Sequence, residues 1–136
     1  MSTPSILYVG ARVTAAIILL QTLYFKFTGS PESVYIFSTV GMEPWGRIAV
    51  GVLEFIAALL LVINRTGWLG GLLALGLMAG ALMMHLTKLG ISVQGDGGYL
   101  FFLALAVTFC SLYVVIRNRS QILTILKSAR TLAWRE

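Results

Sequence analysis

A single carboxylate, Glu54, stands in the middle of an apolar run, residues 46–63, that is long enough to cross a membrane. A charged side chain at that depth in a bilayer is costly unless it is neutralised, paired or hydrated, so such residues are rare and often functional. A buried acid can hold a cationic partner or exchange a proton with a bound molecule. Glu54 is therefore the first candidate for a catalytic or ligand-binding residue.

Other ionisable residues fall where they can join Glu54. Lys26, Arg47 and His85 come at the outer ends of apolar runs, and Arg47 shares a helical face with Glu54. Arg12 lies inside the first run, on nearly the same face as Lys26. We predict an intramembrane polar pocket with these five residues as its ligand-binding set and with Glu54 and His85 as its catalytic residues.

Arg12 enters from the inner end and Glu54 lies near the midplane, so the sequence predicts that the two side chains pair if their helices pack face to face. Two interpretations of such a pair remain open. In one, the pair only fixes the register of the helices. In the other, Glu54 lines a cavity and exchanges protons.

These residues must be positioned by membrane-spanning helices. The chain has 136 residues, of which 58% are hydrophobic and 11% charged, a composition that a soluble domain of this size cannot bury. Four apolar runs each approach the roughly 20 residues that cross a bilayer; they cover residues 6–25, 46–63, 67–86 and 99–116. The predicted fold class is therefore all-α, an integral membrane four-helix bundle forming a single domain over residues 1–136.

Two shorter amphipathic helices are predicted outside the spans. In the first outer connection, Ser30 is placed to cap a helix whose first residue is Pro31 and which ends before Gly41. This helix is expected to pack across the outer mouth of the bundle, as a lid. Residues 119–135 form a second pattern of this kind, an interfacial helix anchored by Trp134. A helix that binds a partner protein remains the alternative for this tail.

The net charge of +5 comes from basic residues that mostly flank the spans. This placement indicates contact with membrane lipid rather than with nucleic acid. The bias of basic residues towards one side predicts that both termini are cytoplasmic. The expected location is a bacterial cytoplasmic membrane. A homo-oligomer is compatible with this arrangement.

The chain has one cysteine, Cys110, so it can form neither an intrachain disulfide nor a CxxC redox pair. Redox chemistry would therefore need a ligand or a partner protein. The single His85, without a second His or Cys nearby in sequence, is a poor metal or haem site. We predict no metal ion.

The third run carries small residues and methionines at helical spacing. The glycines form two GxxxG steps, which predict close helix packing. The methionines are expected to fill the core, or alternatively to line an apolar cavity for a flexible ligand. The residues are Gly67, Gly71, Gly76 and Gly80, and Met78, Met83 and Met84.

Several short motifs follow one another within residues 12–116. They are Arg12, Phe25-Lys26-Phe27-Thr28-Gly29 with Pro31, Phe37-Ser38-Thr39-Val40-Gly41-Met42-Glu43-Pro44, Gly51-Val52-Leu53-Glu54, His85 and Gly97-Gly98-Tyr99. In this order and spacing they resemble the DoxX family of small four-helix membrane proteins. The acidic residue that many members carry after the last motif is absent here.

The resemblance implies that the family positions are Arg12, Lys26, Glu54 and His85. Members of the family include a subunit of a thiosulfate:quinone oxidoreductase and membrane partners of soluble thiol or superoxide enzymes. Distant eukaryotic relatives are assembly chaperones for membrane receptors. The resemblance therefore implies redox-associated work in some members and chaperone work in others.

Two functional hypotheses follow. In the first, a cavity binds a quinone-like or lipid-like molecule, with His85 or Lys26 near a carbonyl oxygen and Glu54 relaying protons, in a membrane subunit of an oxidoreductase supplied with electrons by a redox partner. In the second, the chain is a non-catalytic scaffold or assembly chaperone whose buried charges are structural. A small transporter is a third hypothesis, disfavoured because the four spans show no inverted repeat.

Overall fold

The computed structural model describes residues 5–135, so residues 1–4 and 136 of the predicted single domain lie outside it. Its helices are α1 Ile6–Thr28, α2 Pro31–Thr39, α3 Trp45–Val62, α4 Gly67–Met84, a π-helical turn His85–Leu89, α5 Tyr99–Arg117 and α6 Arg119–Ala133. α1, α3, α4 with its π turn, and α5 are each long and apolar enough to cross a membrane. This confirms the predicted all-α bundle of four spans.

The four spans form a closed ring in the order α1, α3, α4, α5, because each packs against the two spans beside it. One end of the ring holds Ser5, Arg117 and the turn between α3 and α4, and we call it the terminal end. The opposite end holds α2 and residues 90–98, and we call it the loop end. α2 packs on α1, α3 and the π turn, in the position where the sequence predicts a lid.

The start and end of α2 follow from its sequence. The Ser30 side chain accepts a hydrogen bond from the backbone N–H of Ser33 at 3.3 Å, and Pro31 opens the first turn. Gly41 adopts a positive φ of 76°, which lets the chain turn back after the helix. Ser33 and Phe37 are buried against the bundle, so α2 is amphipathic, as predicted.

Small residues close the terminal half of the bundle. Because lipid is as apolar as the helix surfaces, spans associate largely through close packing, which small side chains allow. A methyl group at Gly70 would lie 2.6 Å from the backbone nitrogen of Leu61, so α3 and α4 touch backbone to backbone here. The alanines buried around this contact are Ala15, Ala16, Ala57, Ala58 and Ala74.

α6 stands apart from the bundle. It follows α5 after a break at Asn118, and none of its residues is buried. Its apolar side chains, which include Leu123, Leu126 and Leu132, are exposed. The predicted amphipathic helix at residues 119–135 is therefore present as α6, with its apolar face uncovered by the rest of the described chain.

Candidate functional site

A cavity of about 330 Å³ occupies the loop half of the bundle, between the four spans and beneath α2. This volume falls in the range of small-molecule sites, which are mostly apolar with a few polar groups. Apolar side chains such as Leu19, Phe37 and Met78 form most of the wall. The polar and charged residues in the wall are Gln21, Thr22, Lys26, Ser30, Glu32, Ser33, Glu54, His85 and Tyr99.

Glu54 is buried, with 4% of its surface exposed, and it pairs with Lys26. The Lys26 Nζ atom lies 3.0 Å from Glu54 Oε2, and the Thr22 hydroxyl lies 3.3 Å from the same oxygen. Thr22 and Lys26 are one helical turn apart on α1, so a single face of α1 presents both to α3. The buried carboxylate is thus compensated by a cation from the neighbouring helix.

The second carboxylate oxygen of Glu54, Oε1, is left for the cavity. Among residues 5–135 it has no hydrogen-bond partner, and it is not one of the fully enclosed polar atoms. An ammonium group has three N–H donors, of which Lys26 directs one at Glu54. The pair can therefore both accept and donate a hydrogen bond towards a molecule in the cavity.

His85 supplies a further polar group to the wall. Its Nδ1 atom lies 2.8 Å from the backbone carbonyl oxygen of Gly90, and because a carbonyl only accepts, Nδ1 carries the hydrogen. In the neutral imidazole this leaves Nε2 as an acceptor. His85 opens the π turn, which closes with the Gly90 N–H donating to the His85 carbonyl at 2.8 Å. Such π turns within helices occur often at functional sites.

Glu32 brings a carboxyl group to the cavity from the lid. It lies in the first turn of α2 and lines the cavity at the loop end. Burial raises the pKa of Glu32 above its ordinary value, and the negative charge of Asp96 raises it further. Glu32 therefore holds a proton at higher pH than an exposed glutamate does.

Asp96 orders the glycine-rich turn before α5. Its carboxylate accepts hydrogen bonds from the backbone N–H groups of Val93 at 2.9 Å, Gly98 at 2.8 Å and Leu100 at 3.2 Å. Burial alone would raise the pKa of Asp96, but these hydrogen bonds and the neighbouring His85 outweigh burial and lower that pKa. Asp96 thus stays ionised and holds the start of α5 in place.

The predicted pair of Arg12 and Glu54 is wrong. Arg12 is buried but points to the terminal end, where its Nε atom donates to the Leu61 carbonyl at 2.6 Å and its Nη2 atom to the Val62 carbonyl at 2.8 Å. Its Nη1 atom donates to the Asn64 side chain at 2.8 Å. Arg12 therefore caps the carboxyl end of α3 and does not reach the cavity.

Arg47 is also absent from the cavity wall. Its guanidinium pairs with Glu43, with Nη2 2.8 Å from Oε1, and Nη1 donates to the backbone carbonyl of Lys26. Arg47 thus ties the start of α3 to the end of α1. Of the five predicted ligand-binding residues, the structure brings Lys26, Glu54 and His85 to the cavity.

The prediction of close packing fails for two of the four glycines that it named in α4. Gly67 and Gly71 are approached by Arg12 and by α5, but a methyl group at Gly76 or Gly80 would meet nothing within 4 Å. The latter two glycines line the cavity instead. Among the methionines, Met78 is buried and Met84 lines the cavity, whereas Met83 is exposed and does not fill the core.

Several site residues escaped the sequence analysis. Thr22 was detectable, because it lies one turn before Lys26 on the same face of α1. Glu32 falls within the predicted lid helix, but its place in the cavity wall was not predicted. The Gln21 side-chain amide on α1 donates a hydrogen bond of 3.0 Å to the Tyr99 hydroxyl on α5. No pattern in the sequence pairs residues that are so far apart along the chain.

The fold and the cavity define the class of this protein: it is an all-α integral membrane protein, a bundle of four apolar helices around a largely apolar cavity with a few polar groups in its wall. No protein-family model, no curated protein and no solved structure matches the chain. The resemblance to the DoxX family therefore stays a prediction.

Proposed function

We propose that the cavity binds a quinone-like or lipid-like small molecule, and that the protein serves as a membrane subunit of a redox system. The observation that carries this proposal is the cavity in which a largely apolar wall meets Lys26, Glu54 and His85. An apolar wall suits a ring or chain, and the three polar side chains suit a molecule with carbonyl or hydroxyl oxygens.

The geometry supplies a role for each polar group. The free N–H groups of Lys26 donate to a carbonyl oxygen of the ligand, while Glu54 Oε1 and His85 Nε2 accept from a hydroxyl group. Reduction of a quinone to a quinol takes up two electrons and two protons. In this proposal Glu54 and His85 pass the protons, Glu32 connects them to the loop end, and a partner protein supplies the electrons.

The most direct test of the proposal is to identify the small molecules that stay bound to the protein during purification. The full-length protein would be purified in mild detergent and extracted, and small molecules would be identified by mass spectrometry. We expect a stoichiometric quinone or similar amphiphile in the unmodified protein. Glu54→Gln is expected to lower its occupancy at least about tenfold, because an amide replaces the charged acceptor.

Glu43→Gln is the matched control, since it makes the same chemical change in an ion pair outside the cavity. It should retain the ligand at full occupancy. A folded protein without any small molecule, or equal occupancy in Glu54→Gln, would contradict the proposal. An empty protein that co-purifies with a partner protein would favour the scaffold or assembly chaperone, for which the buried ion pairs are purely structural.

We also propose that both termini are cytoplasmic and that α6 lies on the anionic inner leaflet. Between Arg117 and Arg135 the chain has basic residues but no acidic ones, and the apolar face of α6 is exposed. A basic amphipathic helix of this kind binds at the headgroup level of anionic membranes. Its basic side chains then contact lipid phosphates while its apolar side chains enter the acyl boundary.

Two labelled variants test the orientation of α6. In a Cys110→Ser background, an environment-sensitive fluorophore is attached to Leu126→Cys or, as matched control, to Thr124→Cys on the opposite face of α6. In nanodiscs with anionic lipid, we expect a blue-shifted emission for position 126 and a water-like emission for position 124. Equal spectra at the two positions would show that α6 does not lie on the membrane with its apolar face down.

A further inference from the structure

Two of the four seams between neighbouring spans are closed by polar contacts at the loop end. The seam between α1 and α3 is bridged by Lys26 and Glu54, at 3.0 Å. The seam between α1 and α5 is bridged by the hydrogen bond from Gln21 to Tyr99, at 3.0 Å. Each of these contacts joins α1 to a neighbouring span at the level of the cavity.

The third seam and the top of the cavity are also covered. The His85 ring packs edge-to-face on Phe101 across α4 and α5, with ring centroids 5.6 Å apart. At the loop end, α2 contributes the buried Phe37 to the cavity wall. The lid thus forms part of the wall on this side.

The fourth seam, between α3 and α4, differs at its loop end. Within residues 5–135 no side-chain hydrogen bond or ion pair joins α3 to the loop half of α4. At the terminal end the same two helices touch at Gly70. The helices are thus in backbone contact at one end, and the other end lacks a comparable tie.

Glycines face this open part of the seam. Gly70 faces α3 and Gly71 faces α5. Around the axis of α4, successive residues are rotated by about 100°. Relative to the direction of Gly70, Gly80 is rotated by about 80° and Gly76 by about 120°, both to the side away from α5. Both lie at the lipid-facing flank of the seam. Gly76 is exposed and also lines the cavity, so it lies where the cavity wall meets the surface of the bundle.

We infer that the cavity opens sideways into the bilayer between α3 and α4, past Gly76 and Gly80, and that its ligand is a membrane-resident amphiphile with a single chain. The polar end lies at the buried Glu54, whose Oε1 atom faces the cavity, and the chain leaves through the glycine-lined portal. The two glycines set the width of the portal, because a side chain at either position would occupy the path of the chain.

This inference rests on the proposed function. Two probes distinguish a failure of the portal from a failure of the proposed function. The first probe is 2,3-dimethoxy-5-methyl-1,4-benzoquinone, a ring without a chain, and the second is the same ring with a decyl chain. Both are titrated onto the full-length protein in nanodiscs. In Gly80→Leu we expect at least about tenfold weaker binding of the decyl compound, since the leucine displaces several methylene groups from their contacts. Binding of the ring alone should change less than about twofold.

Gly10→Leu is the matched control, because a side chain at Gly10 also meets nothing within 4 Å but lies away from the cavity. It should leave both affinities unchanged. Gly76→Leu provides a second portal variant in case Gly80→Leu does not fold. Unchanged decyl binding in the folded portal variants, with the ring bound, would overturn the portal and leave the proposed function intact. If the unmodified protein bound neither probe, the proposed function would be wrong and the portal with it.

Discussion

Replacing Arg12 by leucine is expected to destabilise the protein by about 3 kcal/mol or more, because hydrogen bonds to a charged group contribute about 1.5–3 kcal/mol and Arg12 makes three of them. The last carbonyls of a helix have no partner within the helix, and they carry the negative end of its dipole. Arg12 satisfies two of these carbonyls on α3. The measurement is the free energy of unfolding, from denaturant titration of the protein in detergent micelles.

Arg65→Leu is the matched control, since it removes the same positive charge from the exposed turn beside Asn64. We expect it to change the free energy of unfolding by less than about 0.5 kcal/mol. Arg12→Lys should fall between the two, because an ammonium cannot reproduce the planar geometry of the guanidinium. Equal stability of Arg12→Leu and the unmodified protein would show that the cap on α3 is not important for folding.

Removal of Lys26 is expected to have a similarly large effect at the cavity. Lys26→Met keeps the apolar stem of the side chain but leaves the buried carboxylate of Glu54 without its cation. Breaking a buried ion pair in this way typically costs about 3–5 kcal/mol. We therefore expect a loss of stability of this order in the same titration.

The double variant Lys26→Met with Glu54→Gln distinguishes an unpaired charge from lost packing. The neutral amide needs no counter-ion and can accept a hydrogen bond from Thr22 through its oxygen, so most of the lost stability should return. A double variant that is no more stable than Lys26→Met would mean that the ion pair contributes little and that packing of the lysine stem dominates.

The fold was largely predictable from the sequence because hydropathy alone marks membrane spans. The lid helix was also predictable, since Ser30, Pro31 and Gly41 are each typical of a helix start or end. Exact helix ends were less accessible: α1 continues to Thr28, and the π turn carries the third span beyond residue 86. Helical periodicity does not distinguish α from π turns over a single turn.

The partner of Arg12 was not predictable from the spacing of residues alone. Spacing places Arg12 and Lys26 on one face of α1, and the structure agrees, because both bond to α3. However, the Cα–Cβ bonds of a helix tilt towards its amino terminus. Both side chains of α1 therefore tilt towards the terminal end: Arg12 reaches that end of the bundle, and Lys26, which starts near the loop end, reaches the interior. Glu54 lies on the antiparallel α3, so its side chain tilts towards the loop end and meets Lys26.

The placement of ionisable residues predicted a pocket, but the shape of the cavity and most of its wall could not be derived from composition or periodicity. A glycine in a membrane helix predicts close packing in general, and Gly70 behaves in this way. Whether the space beside a glycine is filled by a neighbouring helix depends on how the helices diverge, and that is set by contacts distant in sequence. Gly76 and Gly80 therefore had a role that the pattern of the sequence did not indicate.

The ion pair of Lys26 and Glu54 also determines how the site responds to the electrical potential across the membrane. Moving one elementary charge through the full potential changes the free energy by about 2.3 kcal/mol per 100 mV. The two charges lie 3.0 Å apart and sum to zero, so a motion that carries the two side chains together moves no net charge through the field. If the proposed function holds, the site would instead respond to voltage through protons, because proton uptake into it from one side of the membrane would move charge through the field.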